Sequence, residues 1–322
     1  MSHELDLTTG TAAIAYVGDT PWHGLGQKLE VGASIEDWTQ AAGLGWNVDR
    51  AAVQFSATPG PISTMSGMTN RHVLYRTDTA APLSVVSDSY KVVQPAQIMD
   101  FFRSLTEKTD AQMETAGSLF EGKVIWALAR MGDDFKIKDD SIAPYLMLST
   151  SYDMSTPTIA KLVATRVVCN NTIQLALNEQ GKRQIRIPHS TEFKAEDVRA
   201  GLEISLDAFE AFKQQALGLS QRPFGQSEMD KYLVALLQPE AGEIDGDKIR
   251  GSKAYKQMME LFKGNQIGGE QDAVGNTAWG ALNAVTEFID HMKGRNQSSR
   301  LMEAWFQTGA KFKERALDIL SA

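Results

Sequence analysis

Apolar residues in this sequence change their spacing near residue 190. Before that point, runs rich in β-branched and aromatic residues are separated by Pro and Gly clusters. These are WNVDRAAVQFSA from Trp46, RHVLYRT from Arg71, PLSVVSDSYKVV from Pro82, METAGSLF from Met113, KVIWALARM from Lys123, YLMLSTSY from Tyr145 and TIAKLVATRVV from Thr158. Such runs predict antiparallel strands, and Glu121-Gly122 joins two of them as a hairpin turn. After residue 190 the spacing is helical rather than alternating: Val198, Leu202, Ile204, Leu206, Phe209 and Phe212 follow it between 195 and 216, and 229–237, 253–262, 277–291 and 299–320 repeat that character.

Two helices punctuate the first part. Ser34 caps one that carries Ile35, Trp38 and Ala42 and stops at Gly43–Gly45, and Pro95 opens another whose face is Ile98, Phe101, Phe102 and Leu105. A further helix is expected from Asn171 to Leu177, directly after the last strand. Residues 1–30, broken by Gly10, Gly18, Pro21, Gly24 and Gly26, read as an irregular arm. The fold class expected is α+β: residues 1–190 form an antiparallel sheet packed with helices, and 191–322 form a mainly helical region.

With 43% apolar and 22% charged residues, the 322-residue chain can bury a substantial core. It contains no run of about 20 apolar residues, so no membrane partner is expected. The single cysteine, Cys169, excludes an intramolecular disulfide, and the Met-Ser-His-Glu start lacks the features of an export signal, so a bacterial cytoplasm is the expected location. The net charge of −8 argues against a protein that coats duplex DNA with a general positive field, because phosphate affinity needs concentrated Lys and Arg. A nucleic-acid site must therefore be local. Between 161 and 190 the chain places Lys161, Arg166, Lys182, Arg183 and Arg186 against Glu179 alone, and the tail after His291 is also rich in Lys and Arg.

The familiar enzymatic motifs are missing: no phosphate loop, no paired Cys motif, no His-Glu-x-x-His and no Gly-x-Ser-x-Gly. An enzyme is not the favoured reading, and no cofactor is implied. One cluster does suggest chemistry. Asn283, Glu287, Asp290 and His291 stand at i, i+4, i+7 and i+8 on one helical face, where Glu287, Asp290 and His291 can share a metal; a polar face ending in a dipole-favoured His is the plainer account. Cys169 can act as a nucleophile only with a base such as His189 nearby, and a cysteine ending an apolar strand more often packs as a small hydrophobe. Trp22-His23 can stack a base or simply tie down the arm, and Tyr75, Tyr90, Tyr145 and Tyr152 read equally as stacking platforms or core aromatics.

Four runs carry a family resemblance: YVGDTPWHGLG from Tyr16, SYKVVQ from Ser89, TRVVCNNT from Thr165 and GNTAWGALNAVTEFIDH from Gly275. Together, and in this order, they resemble the phage/plasmid-like family catalogued as DUF932. The resemblance implies a bacteriophage, prophage or plasmid origin and carries over no catalytic residue. The order of elements is also similar to that of single-strand annealing proteins of the phage Red-beta type, an analogy of architecture alone. It implies a DNA-metabolism protein that binds or anneals single-stranded DNA, with Lys161, Arg166, Lys182, Arg183 and Arg186 on phosphates, Tyr152 on a base, and assembly into a homo-oligomer. The alternatives are a metal-assisted hydrolase built on the 283–291 face and a host-directed interaction protein.

Overall fold

The structure, a computed structural model, describes residues 5–8, 10–18, 25–58, 64–166, 172–174, 184–203, 206–239, 242, 244–293, 304 and 308–322. In chain order the elements are β1 (Ile14–Tyr16), β2 (Gln27–Lys28), α1 (Ile35–Ala41), β3 (Val48–Ala57), β4 (Thr64–Arg76), β5 (Pro82–Ser87) and α2 (Pro95–Lys108). There follow β6 (Gln112–Leu119), β7 (Val124–Arg130), β8 (Phe135–Ile137), β9 (Asp140–Ser151), β10 (Thr158–Arg166), β11 (Thr172–Gln174) and β12 (Ile185–Ile187). Then come α3 (Ala195–Glu203), α4 (Leu206–Gln221), α5 (Gln226–Leu237), α6 (Gly246–Gly251), α7 (Lys253–Glu260), α8 (Ala278–Glu287) and α9 (Thr308–Ser321). The fold is α+β, with N-terminal sheets packed with helices and a helical C-terminal region.

The chain forms two compact units. The first comprises Met1–Gly132, Leu146–Lys161 and Gln184–Gly201; the second comprises Asp133–Tyr145, Leu162–Arg183 and Leu202–Ala322.

In the first unit the strands follow the order β10-β9-β7-β6-β1-β2, with β12 also pairing β10, while β3-β4-β5 form a separate sheet. β6 and β7 make the expected hairpin, and Phe120, Glu121 and Gly122 all take positive φ in its turn. At Gly117 on β6 a side chain is excluded, because a Cβ would lie 2.5 Å from the Ala13 carbonyl and 2.7 Å from the Trp126 ring. In α2 the buried face is Ile98, Met99, Phe101 and Phe102, after Pro95 at the start, where its missing N–H costs nothing.

α1 shows how local sequence sets an element. Ser34 Oγ accepts the Asp37 amide at 3.1 Å, the Asp37 carboxylate accepts the Ser34 amide at 3.2 Å, and Ile35, Trp38 and Ala41 turn inward. Replacing Ser34 by alanine removes this reciprocal cap and should cost about 1 kcal/mol, read as a lower denaturation midpoint.

The N-terminal segment is pinned by a buried ion cluster. Arg76, at the end of β4, grips Asp78 with Nε at 3.0 Å and Nη2 at 2.7 Å, while Nη1 donates to Asp6. The guanidinium stands 4.4 Å from the centre of the Trp46 ring. Asp6 also accepts Ser118 Oγ at 3.2 Å and the Thr8 amide at 2.9 Å, and both Arg76 and Asp6 are buried.

In the second unit β8 and β9 form a hairpin in which Phe135 opposes Ile142 and Ile137 opposes Asp140. Residues 172–174 are a strand, pairing Val163–Thr165 of β10, rather than part of the helix expected from Asn171 to Leu177; the β-branched Thr172 and Ile173 extend the sheet. The centre of this unit is α8, all ten of whose residues are buried. Its Trp279 donates Nε1–H to Asp140 at 2.9 Å and meets the Phe212 ring edge-on, with centroids 6.1 Å apart. Helical spacing in the sequence therefore identified α4, α5, α7 and α8 but not the short α6, and the family-like run from Gly275 contains the core helix of the unit.

Candidate functional site

The structure places the six candidate nucleic-acid residues in different environments. Tyr152 is fully buried; its hydroxyl donates to the Val93 carbonyl at 2.9 Å, its ring meets Trp46 edge-on, and burial pushes its phenol well above the ordinary range. Lys161 is 1% exposed. In this structure neither side chain is presented to a base or a phosphate. Tyr152 directly follows β9, and Lys161 lies in a stretch of β10 whose successive residues are all buried, so polar type is no guide to exposure there. Arg186 is exposed on β12, where its Cα partner is Ile159. Arg166 ends β10. Lys182, Arg183, Cys169, Trp22 and His23 lie outside the described residues.

Close to Arg186 the first unit brings together groups that the sequence separates widely. Tyr90 stacks on His189 with centroids 4.5 Å apart and planes 21° from parallel. The Tyr90 hydroxyl donates to the Ser151 carbonyl at 2.7 Å, and Arg50, from β3, donates through Nη2 to the Tyr90 carbonyl. The Lys91 amide donates to the His189 carbonyl. His189 Nε2 donates to the Thr156 carbonyl at 2.9 Å, which assigns the proton to Nε2; Nδ1 is buried and finds no partner among the described residues. Burial lowers the pKa of this imidazole, so the ring is neutral at physiological pH.

Beneath the stack, hydroxyls close the β9–β10 turn. Ser151 Oγ donates to the Thr156 carbonyl at 2.6 Å and accepts its amide at 3.1 Å, and the Thr150 and Thr158 hydroxyls meet at 2.8 Å. Three cations belong to the segments that meet here, and Arg50, Lys91 and Arg186 are all exposed. Tyr90 is itself buried, so its ring stacks on no base; the stack fixes the backbone that carries the cations, and exposed cations held in place can contact phosphates. Sequence reasoning picked out Arg186 and missed Arg50 and Lys91. Lys91 lies within the SYKVVQ run, which was its only signal, and Arg50 reaches the cluster across 40 positions.

The C-terminal polar face is not assembled as a metal site. Asn283 is buried and donates to the Trp279 carbonyl at 2.9 Å, and the Glu287 carboxylate accepts the Ile267 amide at 3.1 Å. Asp290 accepts Lys313 Nζ at 2.6 Å, with both side chains almost wholly buried, whereas His291 is exposed. A π turn over Phe288–Met292 is the physical reason, because its wider winding carries Asp290 and His291 off the line of Asn283 and Glu287. Among the described residues no three His, Cys, Asp or Glu side chains are grouped to hold a metal ion. Nor is any described helix long and apolar enough to cross a membrane.

Residues 82–305 match the family model described as "Domain of unknown function (DUF932)". The chain belongs to the DUF932 family. No curated protein and no solved structure matches it. The DUF932 segment starts at the first residue of β5 and takes in Tyr90, Lys91, Arg186, His189 and the whole of α8, while Arg50 and the β3–β4 pair precede it.

Proposed function

We propose that this DUF932 protein is a non-enzymatic protein of phage or plasmid DNA metabolism that binds single-stranded DNA. Its site is the part of the first unit where the segments carrying Arg50, Lys91 and Arg186 meet at the Tyr90–His189 stack. The observation that carries the reading is that three exposed cations belong to the segments that meet at the Tyr90–His189 stack, Arg50 through its bond to the Tyr90 carbonyl, Lys91 next to Tyr90 and Arg186 three residues before His189, in a chain whose net charge is −8. An acidic protein can hold a polyanion only where cations gather locally. The basic run from 161 to 190 supports the reading through Arg186 rather than through Lys161, which is buried. The 283–291 face supports no second reading, because its carboxylates are engaged by Ile267 and Lys313.

Fluorescence anisotropy against a single-stranded oligonucleotide, titrated with salt, tests it. On a single strand each neutralised phosphate contributes about 0.7 to the slope of log K against log salt, so replacing Arg50, Lys91 and Arg186 by alanine should flatten the slope by about 2. Lys248→Ala, an exposed cation in the second unit, should leave it unchanged. Absence of binding at low salt, or an unaltered slope in the triple variant, ends the proposal.

A further inference from the structure

β5 pairs with β4 only between Arg71 and Tyr75, so beyond it Val53–Ala57 and Thr64–Met68 run on as a two-stranded ribbon. β3 is the terminal strand of that sheet, and no other described strand pairs its outer edge. The ribbon is exposed along its length, with Phe55 47%, Met65 66% and Met68 45% accessible. Val53, Phe55 and Ala57 alternate onto one face with Met68 beside Val53. From Ala51 to Asn70 the sequence holds no charged residue and no histidine.

An exposed edge of this length is ordinarily blunted by charge, proline or a bulge; Ala51–Ala57 has neither charge nor proline, and at the register shift between Ala52 and Val53 the extra residues, 69–71, belong to β4 and not to the edge strand. The chain's negative charge opposes the approach of a second copy, except where the surface is uncharged, and this ribbon is such a place. We propose that β3 pairs antiparallel with β3 of a second copy, about a twofold axis at Val53. That register sets Asp49 opposite Ala57 and Arg50 opposite Ser56, so no like charges meet. Parallel pairing in register would set Asp49 against Asp49 and Arg50 against Arg50. The antiparallel register also brings Phe55 of each copy opposite Ala51 of the other, an aromatic ring beside a small residue, and joins the two apolar stripes on one face. Main-chain hydrogen bonds provide the affinity, as in strand addition generally. This pairing does not rest on the DNA reading, although Arg50 belongs to both, and it is tested without DNA.

Sedimentation velocity of the full chain provides the test. The wild type should sediment at twice the chain mass. Ala51→Lys with Phe55→Lys sets two lysines opposite each other on each side of the axis, which should weaken the dimer about tenfold or more. Ala51→Lys with Phe55→Glu sets lysine opposite glutamate and should restore it. Positions 51 and 55 are exposed, so circular dichroism of both variants should match the wild type. A monomeric wild type overturns the proposal. So does a dimer that the double-lysine change leaves intact, or one that the lysine–glutamate pair does not restore.

Discussion

Replacing Arg76 by alanine should lower the stability of the first unit by about 3–5 kcal/mol, the range for removing one partner of a buried ion pair. The size follows from what remains. Asp6 is 2% exposed, and without the guanidinium its carboxylate would stay buried with only Ser118 and Thr8 to solvate it. Trp46 would lose the cation over its ring, and the turn at Gly122, where a Cβ would come within 3.1 Å of both Arg76 and Trp46, would border a cavity. Urea unfolding followed by tryptophan fluorescence measures the loss. The double variant Asp6→Ala with Arg76→Ala should be more stable than Arg76→Ala alone, because it removes the orphaned charge.

The same cluster sets a pH dependence. Burial pushes the Asp6 carboxyl up, but the hydrogen bonds from Thr8 and Arg76 and the Arg76 charge outweigh it, and the net shift is downward. Asp78 is lowered chiefly by its hydrogen bonds from Arg76. Carboxylates with depressed folded values contribute fully above the ordinary carboxylate pKa of about 4 and lose that contribution as pH falls through the depressed values. Wild-type stability should therefore fall below about pH 4, and more steeply than that of Arg76→Ala.

Much of this architecture was legible because its causes are local. Ser34 with Asp37 marks the start of α1, Pro95 opens α2, and Glu121-Gly122 turns the β6–β7 hairpin; each signal spans only a few residues. Helical spacing after residue 190 likewise exposed α4, α5, α7 and α8. The contacts that fix the candidate sites are of another kind. Arg76 meets Asp6 across 70 positions, Trp279 meets Asp140 across 139, and Asp290 meets Lys313 across 23, and no short-range pattern encodes such partners.

Lys161 shows a second reason. Its neighbours Ala160 and Leu162 are as buried as it is, so β10 has no solvent face from which alternation could reveal an exposed cation. The 283–291 face was misleading for a third reason. The i, i+4, i+7, i+8 argument assumes an unbroken α-helix, and the π turn at Phe288 breaks that assumption in the very stretch where Asp290 and His291 lie.

Gly280→Ala should be the most damaging single-methyl change in the second unit. A Cβ at this position would lie 1.9 Å from the Val274 carbonyl oxygen and 2.9 Å from its carbon, and both belong to backbone that cannot rotate away. Val274 is itself buried, and its carbonyl accepts the Thr277 amide at 3.3 Å and the Thr277 hydroxyl at 3.1 Å, so moving it disturbs the cap that starts α8. Next to Gly280, Trp279 holds the Asp140 carboxylate, and any shift of α8 strains that bond too. Overpacking of this kind costs about 3 kcal/mol or more, against a gain of under about 1 kcal/mol from helix propensity. Gly218→Ala gives the contrast within the same unit. Gly218 lies on the exposed side of α4, a Cβ there meets nothing within 4 Å, and the change should stabilise by about 0.5–1 kcal/mol. Thermal unfolding of the two variants should thus move in opposite directions from the wild type. If Gly280→Ala melts with or above it, the close approach of α8 to Val274 is not the constraint that demands glycine in the GNTAWGALNAVTEF run.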